Sequence, residues 1–324
     1  MITVLCGGVG GVKLVDGLAA ELADPADLAI VVNTADDWEH LGLLISPDVD
    51  TVLYTLAGLA SEERGWGLEG DTWTALDMLA RYGQPTWFRL GDRDLGTHLA
   101  RTAWRREGRR PTEITAALAA GLGVMPKILP MSDDRVATYV HTPAGRLPFQ
   151  EYFVKRRARD AVTGIEFEGV EQARPSPEAL DAIKAAAVIV VAPSNPLASV
   201  GPILALPGME AALRESRALK IAVTPLIGGA AVKGPTVEML RGLGMPSAPA
   251  AVAAMYRTFT DVFVLDVRDR AEAEAVAAAG APGRPLAVEC ADTLMSDRAG
   301  RRRLARALIE IAVRHGAAVA AKPG

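Results

Sequence analysis

The chain of 324 residues is long enough to bury a sizeable core, as one large domain or two smaller ones. Half of its residues are hydrophobic, and the net charge of −4 argues against a general nucleic-acid binder, which usually presents a basic face. The two cysteines, Cys6 and Cys290, form no disulfide framework or zinc pattern. We find no signal peptide and no apolar stretch long enough to span a membrane, so we expect a cytoplasmic protein without a membrane partner.

The chain opens with a short apolar run, Ile2–Cys6, which leads into a glycine-rich loop and then a helical pattern. Glycines allow a tight turn and a close approach of a ligand to the backbone, and the first N–H groups of a helix favour an anion. We therefore predict that the loop of Gly7, Gly8, Gly10 and Gly11 holds a phosphate. The loop matches neither the dinucleotide fingerprint nor the P-loop spacing, so the alternative is a turn that only lets strand and helix pack closely.

Apolar, β-branched runs alternate with helical patterns along the chain, which indicates buried parallel strands connected by helices. This alternation predicts an α/β fold with a Rossmann-like, doubly wound and mostly parallel sheet. The predicted core strands are Ile2–Cys6, Leu28–Asn33, Val188–Ala192, Lys220–Thr224, Asp261–Asp266 and Leu286–Glu289.

The stretch between the second and third core strands is too long for one crossover connection. It contains helical patterns and two runs, Ala137–Thr142 and Leu147–Val154, that predict a β-hairpin. We therefore expect residues 60–175 to form an inserted α+β subdomain that covers the site. Residues 1–59 and 176–324 would form the Rossmann-like nucleotide-binding core, with its ligand at the carboxyl ends of the strands.

Acidic residues cluster at the end of the second core strand and shortly after it. Asp36 and Asp37 follow the strand, and Asp48 and Asp50 lie within the run 46–51. Clustered carboxylates repel each other unless a cation or a basic partner is present, and Mg²⁺ suits one or two carboxylates together with phosphate oxygens. For any single aspartate, the alternative is a helix-capping or turn residue.

A second charged block, residues 90–98, places Arg93 between two aspartates and puts His98 near the start of a helix. An arginine oriented in this way can bind a phosphate, an enolic oxygen or a planar heterocycle, and His98 is a candidate proton carrier. The alternative is a salt-bridged turn with a structural histidine. A further acidic turn, at 131–135, either contributes to the site or is only a turn.

Two later strand ends are followed by loops suited to anions. Ser194 and Asn195 follow the third core strand ahead of a helix start, and Lys233 lies in the glycine-rich run 228–235 after the fourth. Each loop has the alternative of an ordinary βα connection. Together these features indicate a nucleotide- or diphosphate-binding α/β enzyme with a carboxylate-held Mg²⁺, a composition that fits phosphoryl-type transfer.

Several long and unusual motifs follow one another along nearly the whole chain, at residues 7–13, 33–37, 46–51, 90–98, 131–134, 149–154, 192–196 and 228–235. In this order they resemble the 2-phospho-L-lactate transferase family, also called CofD or FbiA. The resemblance implies a Mg²⁺-dependent, usually homodimeric enzyme of coenzyme F(420) biosynthesis. Its donor would be lactyl-, enolpyruvyl- or glyceryl-diphospho-guanosine and its acceptor the deazaflavin Fo. The terminal ribityl hydroxyl of Fo would attack the phosphorus nearer the organic acid, and GMP would leave.

The resemblance also implies roles for single residues. Asp50 and Arg93 match the pair that contacts Fo, and His98 belongs to the same motif. Asp36, Asp37 and Asp50 would lie on the metal side, and Asp37, Asp50 and Arg93 would be catalytic, with a general-base role for one acid left open. The guanosine diphosphate part would contact residues of several loops, namely Gly7, Gly8, Gly10, Gly11, Lys13, Ser194, Asn195 and Lys233.

Two other functions remain as alternatives. A related group, that of the gluconeogenesis factors, keeps the glycine loop and the Asp-Asp turn but binds nucleotide-sugars as a non-catalytic regulator. The runs 46–51 and 90–98 favour the transferase, because the resemblance places the deazaflavin site there. A NAD-dependent oxidoreductase is disfavoured by the missing GxGxxG spacing. The sequence leaves open the three-carbon acid of the donor, the detailed metal ligands and the oligomeric state.

Overall fold

The computed structural model describes residues 1–232, 234–283 and 286–322. Its strands are β1 (Ile2–Cys6), β2 (Leu28–Val32), β3 (Trp38–His40), β4 (Leu43–Ile45), β5 (Lys127–Pro130), β6 (Ala137–Thr142), β7 (Gly145–Pro148), β8 (Gly164–Glu168), β9 (Val188–Val191), β10 (Leu219–Val223), β11 (Leu226–Ile227), β12 (Ala230–Ala231), β13 (Val262–Asp266) and β14 (Ala287–Ala291).

Its α-helices are α1 (Gly8–Glu21), α2 (Pro47–Leu56), α3 (Thr74–Arg81), α4 (Asp92–Arg106), α5 (Pro111–Gly121), α6 (Pro177–Ala185), α7 (Gly201–Ala205), α8 (Met209–Glu215), α9 (Thr236–Gly242), α10 (Pro249–Tyr256), α11 (Ala273–Ala278) and α12 (Arg298–Arg314). Among the described residues, no helix combines the length and the apolar character needed to cross a membrane.

Within the described part of the chain, seven strands form a parallel central sheet in the order β14-β13-β10-β9-β1-β2-β5. Strand β1 lies between β2 and β9, and the direction of winding reverses between β1 and β9. This arrangement confirms the predicted α/β, Rossmann-like doubly wound fold. In such folds the ligand binds in the crevice beyond the carboxyl ends of the strands on either side of the reversal.

Both faces of the central sheet are covered, which explains why its strands are continuous apolar runs rather than alternating ones. Every residue of β1, β2, β9 and β13 is buried. Leu14 of α1 and Leu308 of α12 belong to the core on one face. Ile183 of α6, Leu213 of α8 and Tyr256 of α10 belong to the core on the other face.

Strand β5 falls within the range 60–175, which we expected to form an inserted subdomain, yet it pairs with β2 at the edge of the central sheet. Its residues Ile128 and Leu129 are buried. The apolar run is too short to separate a strand from a loop by periodicity, so the sequence does not reveal it. The division into a core and an inserted subdomain stays a prediction.

The predicted hairpin is only partly correct. Strand β6 has the predicted bounds, but β7 ends at Pro148, and residues Glu151–Lys155 form a π-helical turn instead of continuing the strand. Proline has no N–H group to donate to a strand ladder, which favours an end at this point. The side chains of Phe149 and Tyr152 are buried with Val140 of β6 in a small separate core, under the sheet β7-β6-β8.

Candidate active site

The glycine loop connects β1 to α1 and packs tightly against the loop that follows β9. Gly8 has a φ of +63°, a conformation that glycine adopts without strain. A Cβ atom on Gly10 would lie 2.6 Å from the carbonyl oxygen of Pro193, and one on Gly11 would overlap the hydroxyl of Ser194. The glycines therefore bring the first turn of α1 against the β9 loop, at the crevice expected to bind a ligand.

Asp48, in the first turn of α2, lies at the N-terminus of α1. Its Oδ1 accepts a hydrogen bond from the Gly8 N–H at 2.7 Å, and its Oδ2 accepts one from Asn33 Nδ2 at 3.0 Å. Burial nevertheless raises the pKa of the Asp48 carboxyl, with the hydrogen bonds from Asn33 and Gly8 opposing the shift. Asp48 was not among our predicted site residues, although it belongs to the acidic run 46–51.

Asp36 and Asp37 follow β2, as predicted, and one carboxyl oxygen of each is buried in the protein. The Oδ1 atom of each is buried without a hydrogen-bond partner, while Asp37 Oδ2 accepts a hydrogen bond from Ser46 Oγ at 2.7 Å. Burial and the Asp48 carboxylate raise the pKa of Asp36 well above its usual value. Burial also raises the pKa of Asp37, with Ser46 opposing it. Both carboxyls would therefore gain from a nearby cation.

Asp50 is paired with an arginine that the sequence analysis did not identify. Arg101, on α4, donates from Nη1 to Asp50 Oδ2 at 3.1 Å and from Nη2 to Asp50 Oδ1. Both side chains are buried. The pairing uses both Asp50 oxygens, so this carboxylate already has its compensating charge within the protein.

His98 lies behind Arg101 and is almost fully buried. Its Nδ1 is 3.1 Å from Arg101 Nη1, and its Nε2 is 3.1 Å from Asp94 Oδ1. An arginine guanidinium only donates, so in this contact Nδ1 is the acceptor. Asp94 also accepts a hydrogen bond from Tyr54 Oη at 2.6 Å. This arrangement matches the structural alternative for His98; its predicted contact with Fo stays untested.

A cavity of about 620 Å³ opens beside the acidic residues, below the ends of β2 and β5. Asp36, Asp37 and Arg101 lie in its wall, and Trp38, Tyr139 and Phe149 supply aromatic surface, together with apolar residues such as Val49, Ile114 and Val136. A volume of this size, with apolar walls and a few polar groups, is typical of a small-molecule site.

Arg93 and Lys13 lie apart from this cavity. Arg93 is exposed in the first turn of α4, where Nη1 donates to the Glu69 carbonyl oxygen at 2.9 Å. Lys13 Nζ donates to the Met295 carbonyl oxygen at 2.8 Å. Their predicted contacts with Fo and with the guanosine diphosphate part remain predictions.

The remaining predicted contacts are in the loops after β9 and β10. Ser194 Oγ accepts a hydrogen bond from the Gly7 N–H at 3.3 Å, which places it at the glycine loop. Asn195 Oδ1 accepts from the N–H groups of Leu197 and Ala198, so this side chain stabilises its own turn. Lys233 lies outside the described residues.

The acidic turn at 131–135 borders the cavity, but its carboxylates accept hydrogen bonds from other residues of the protein. Asp133 accepts hydrogen bonds from Arg110 and from the Thr112 N–H and hydroxyl, and Asp134 accepts one from the Arg174 N–H. The sequence left open whether this turn contributes to the site or is only a turn. These contacts favour the second interpretation.

The donors present fit a magnesium ion better at Asp36 and Asp37 than at Asp50. Among the described residues, no three His, Cys, Asp or Glu side chains form a ready metal-binding group. Mg²⁺ usually binds through one or two carboxylates, with substrate phosphates and waters as its other ligands. The buried, unpaired Oδ1 atoms of Asp36 and Asp37 fit that pattern, whereas Asp50 is already paired with Arg101.

The family model described as 2-phospho-L-lactate transferase CofD matches residues 2–305. The chain belongs to the CofD family. The matched range includes the glycine loop, the acidic residues after β2, the first turn of α2 and the arginine of α4. The CofD membership therefore confirms the family that the motifs indicated.

Curated relatives of this CofD chain include 2-phospho-L-lactate transferases and phosphoenolpyruvate transferases. A 2-phospho-L-lactate transferase of Methanosarcina mazei is 38% identical, over 95% of this chain and 99% of its own length. A phosphoenolpyruvate transferase of Streptomyces griseus is 40% identical, over 96% and 98%. Another phosphoenolpyruvate transferase, from Nocardia farcinica, is 41% identical over 82% of both chains. The chain is thus similar to transferases of this family over nearly its full length.

Solved structures support the fold alone. The protein BH3568 of Bacillus halodurans, a member of the UPF0052 family, superposes with TM-scores of 0.52 and 0.55 in two crystal structures, at 18% identity. These two structures cover 89% and 96% of this CofD chain.

Proposed function

We propose that this CofD-family transferase moves a phosphorylated three-carbon acid from a guanosine diphosphate-linked donor to the deazaflavin Fo and releases GMP. The observation that carries the proposal is the group of aspartates between the glycine loop and the cavity. Asp48 contacts the loop, while Asp36 and Asp37 lie in the cavity wall. A phosphorus bound at one side and a hydroxyl bound at the other would therefore meet beside these carboxylates.

The donor diphosphate would lie at the N-terminus of α1. The crevice between β1 and β9, the glycines and the start of a helix are features that favour an anion there. Ser194 borders the same loop through its hydrogen bond with the Gly7 N–H. The Asp48 carboxylate also lies at this helix end. Its negative charge would require a cation between the carboxylate and the phosphates.

The acceptor ring would occupy the cavity. Trp38, Tyr139 and Phe149 offer apolar, flat surface for a planar heterocycle, and the volume of about 620 Å³ suits a molecule of that size. Asp37 supplies a polar group in the same wall. The ribityl chain would then extend from the ring towards the acidic residues.

In the proposed reaction, the terminal ribityl hydroxyl oxygen forms a bond to the phosphorus next to the three-carbon acid. The bond between this phosphorus and the oxygen bridging it to the guanosine phosphate breaks, and GMP leaves with the electron pair. The hydroxyl proton passes to a carboxylate, Asp37 or Asp50. The protein supplies mainly positioning and charge compensation, as is usual for phosphoryl transfer.

Magnesium would be held by Asp36 and Asp37, whose free Oδ1 atoms are buried. When bound, it would neutralise charge on the diphosphate as the bond to GMP breaks. We further propose that the enzyme works in the cytoplasm as a homodimer, as the family resemblance implies.

The experiment is a transfer assay with the purified protein, Mg²⁺ and Fo, run separately with the lactyl, enolpyruvyl and glyceryl donors. The fluorescence of Fo reports its binding, and chromatography reports the product and GMP. Because curated relatives include both 2-phospho-L-lactate and phosphoenolpyruvate transferases, we expect turnover with at least one of these two donors.

Asp37→Asn should reduce the transfer rate by about 100-fold or more, the usual scale for a positioned carboxylate. Asp266→Asn is the control, because Asp266, the last residue of β13, accepts hydrogen bonds from Arg268 and Thr293 and does not line the cavity. Absence of Fo binding, together with saturable binding of a UDP-sugar, would instead support the regulatory alternative.

A further inference from the structure

Arg101 is a buried cation at the boundary between the cavity and the interior. It lies in the middle of α4 with a side chain only 6% exposed, and it forms part of the cavity wall. A charge in this position loses its hydration, so its location requires compensation by partners within the protein.

The partners of Arg101 fix its orientation from several directions. The guanidinium forms a two-point pair with Asp50, and Nη1 also lies 3.1 Å from His98 Nδ1 and 3.4 Å from the Leu44 carbonyl oxygen. Two-point pairs between arginine and a carboxylate restrict the geometry of both groups. His98 is held in turn by Asp94, and Asp94 by Tyr54.

We propose that Arg101, which lines the cavity, is a positioning residue of the transfer reaction and holds the adjacent Asp50 carboxylate in one orientation. This inference rests on the proposed function and adds a residue that the family motifs do not include. Arg101 acts through Asp50: the guanidinium fixes the two oxygens, and the network of His98 and Asp94 fixes the guanidinium.

Stability alone does not explain this pair. The desolvation cost of a buried ion pair offsets most of its attraction. Apolar residues of similar size would therefore stabilise the fold about equally well. The position of Arg101 has a clearer consequence for the site, because its positive charge acts on both Asp50 and Asp37. It thereby reduces the repulsion among carboxylates that must lie close together.

Arg101→Lys and Arg101→Met test the proposal, with Arg301→Lys as the control. Arg301, on α12, is similarly buried and forms a two-point pair with Glu62 together with a 2.9 Å hydrogen bond to Asp16, away from the cavity. For each variant, the single-turnover rate at saturating substrates, the Kd of Fo and of GDP, and the unfolding temperature are measured.

We expect Arg101→Lys to lower the single-turnover rate by about 30-fold and Arg101→Met by about 100-fold, the scale expected when a reacting group is misplaced by about an ångström. The Kd of Fo and GDP should change by less than about three-fold, because Arg101 acts on orientation rather than affinity. Arg301→Lys should lower the unfolding temperature and leave the single-turnover rate unchanged.

A wild-type single-turnover rate in folded Arg101→Lys would overturn the inference while leaving the proposed function in place. So would a loss that appears entirely as a higher Kd, since that would make Arg101 a binding residue. A wild-type protein that shows no transfer with any of the donors would overturn the proposed function itself, and the role of Arg101 with it.

Discussion

The Gly8 N–H donates to Asp48 Oδ1 over 2.7 Å, although the two residues are 40 positions apart in the chain. This contact joins the first turn of α1 to the first turn of α2. Ser46, the residue immediately before α2, donates to Asp37, and Asp50 in the first turn of α2 pairs with Arg101. The start of α2 therefore links the glycine loop, Asp37 and the cavity wall, so a shift of α2 would alter all three.

Gly10→Ala should weaken guanosine nucleotide binding and destabilise the fold. The added Cβ would lie 2.6 Å from the Pro193 carbonyl oxygen, so α1 must move away from the β9 loop. Crowding of this kind costs about 1–3 kcal/mol. GDP titration calorimetry and thermal unfolding measure the two effects.

Gly96→Ala is the matched control for that prediction. Gly96 lies inside α4, and a Cβ there would meet nothing within 4 Å, so alanine should stabilise the helix by about 0.5–1 kcal/mol. Equal nucleotide affinity and stability in Gly10→Ala and the wild type would contradict the close packing of the loop.

Asp36→Asn should make the protein more stable at neutral pH and impair transfer. Burial and the Asp48 carboxylate raise the pKa of Asp36, so the folded state keeps a proton that the unfolded state releases above the ordinary value of 3.8. Folding stability therefore falls as pH rises through that range, and an uncharged asparagine escapes the loss. We expect a higher unfolding temperature than the wild type at pH 7, with a difference that shrinks towards pH 3.

Asp266→Asn should change stability in the opposite direction. Burial alone would raise the pKa of Asp266, but hydrogen bonds from Arg268 and Thr293 outweigh it and lower the pKa. Its ionised form therefore stabilises the fold at pH 7, and removing the charge should lower the unfolding temperature there. A lower unfolding temperature in Asp36→Asn at pH 7 would contradict the unfavourable burial of that carboxylate.

The fold was largely predictable because its signals are local. The parallel strands are uninterrupted apolar runs, and each predicted core strand agrees with an observed strand to within a few residues. The misses had weak or conflicting local signals: β5 has four residues, and Leu147–Val154 has a strand-like composition interrupted by Pro148. Tertiary packing decides such segments.

The site was less predictable, because spacing identifies an acidic run but not the partner of each acid. Asp48 and Asp50 differ by two positions in α2, and only the rotation of the helix decides that Asp48 meets Gly8 while Asp50 meets Arg101. Arg101 lies three residues beyond the motif 90–98. Arg301 has no sequence signal for burial, yet its side chain is buried and paired with Asp16 and Glu62.

Arg93→Ala should weaken Fo binding by about ten-fold and leave GDP binding unchanged, if the predicted contact with Fo is correct. The guanidinium is exposed in the first turn of α4, the helix that also places Arg101 in the cavity wall, so a long acceptor could reach it. Fluorescence titration of Fo and calorimetry with GDP provide the comparison.

Arg89→Ala controls for the loss of a nearby exposed positive charge. Its guanidinium lies 4.2 Å from the centre of the Trp73 ring, outside the residues assigned to either substrate. Equal effects of Arg93→Ala on Fo and GDP binding, or an equal effect of Arg89→Ala on Fo, would count against the assignment of Arg93.

Glu21→Gln should destabilise the protein at neutral pH, by an amount that vanishes in acid. Glu21 ends α1 and accepts hydrogen bonds from Arg302 and Arg306 of α12. Burial alone would raise the pKa of Glu21, but the hydrogen bonds from Arg306 and Arg302 outweigh it and lower the pKa. A depressed pKa contributes stability that is present above the ordinary value of 4.5 and is lost as pH falls through the folded-state value.

Thermal unfolding from pH 7 to pH 3 tests this contact between α1 and α12. The unfolding temperatures of the wild type and Glu21→Gln should differ at pH 7 and converge as pH falls through the lowered folded-state pKa of Glu21, where its carboxyl also becomes uncharged. Glu63→Gln, at an exposed position, controls for the loss of one negative charge. A difference in unfolding temperature between the wild type and Glu21→Gln that stays constant from pH 7 to pH 3 would contradict this prediction. It would show that the shape of Glu21, and not its charge, joins the two helices.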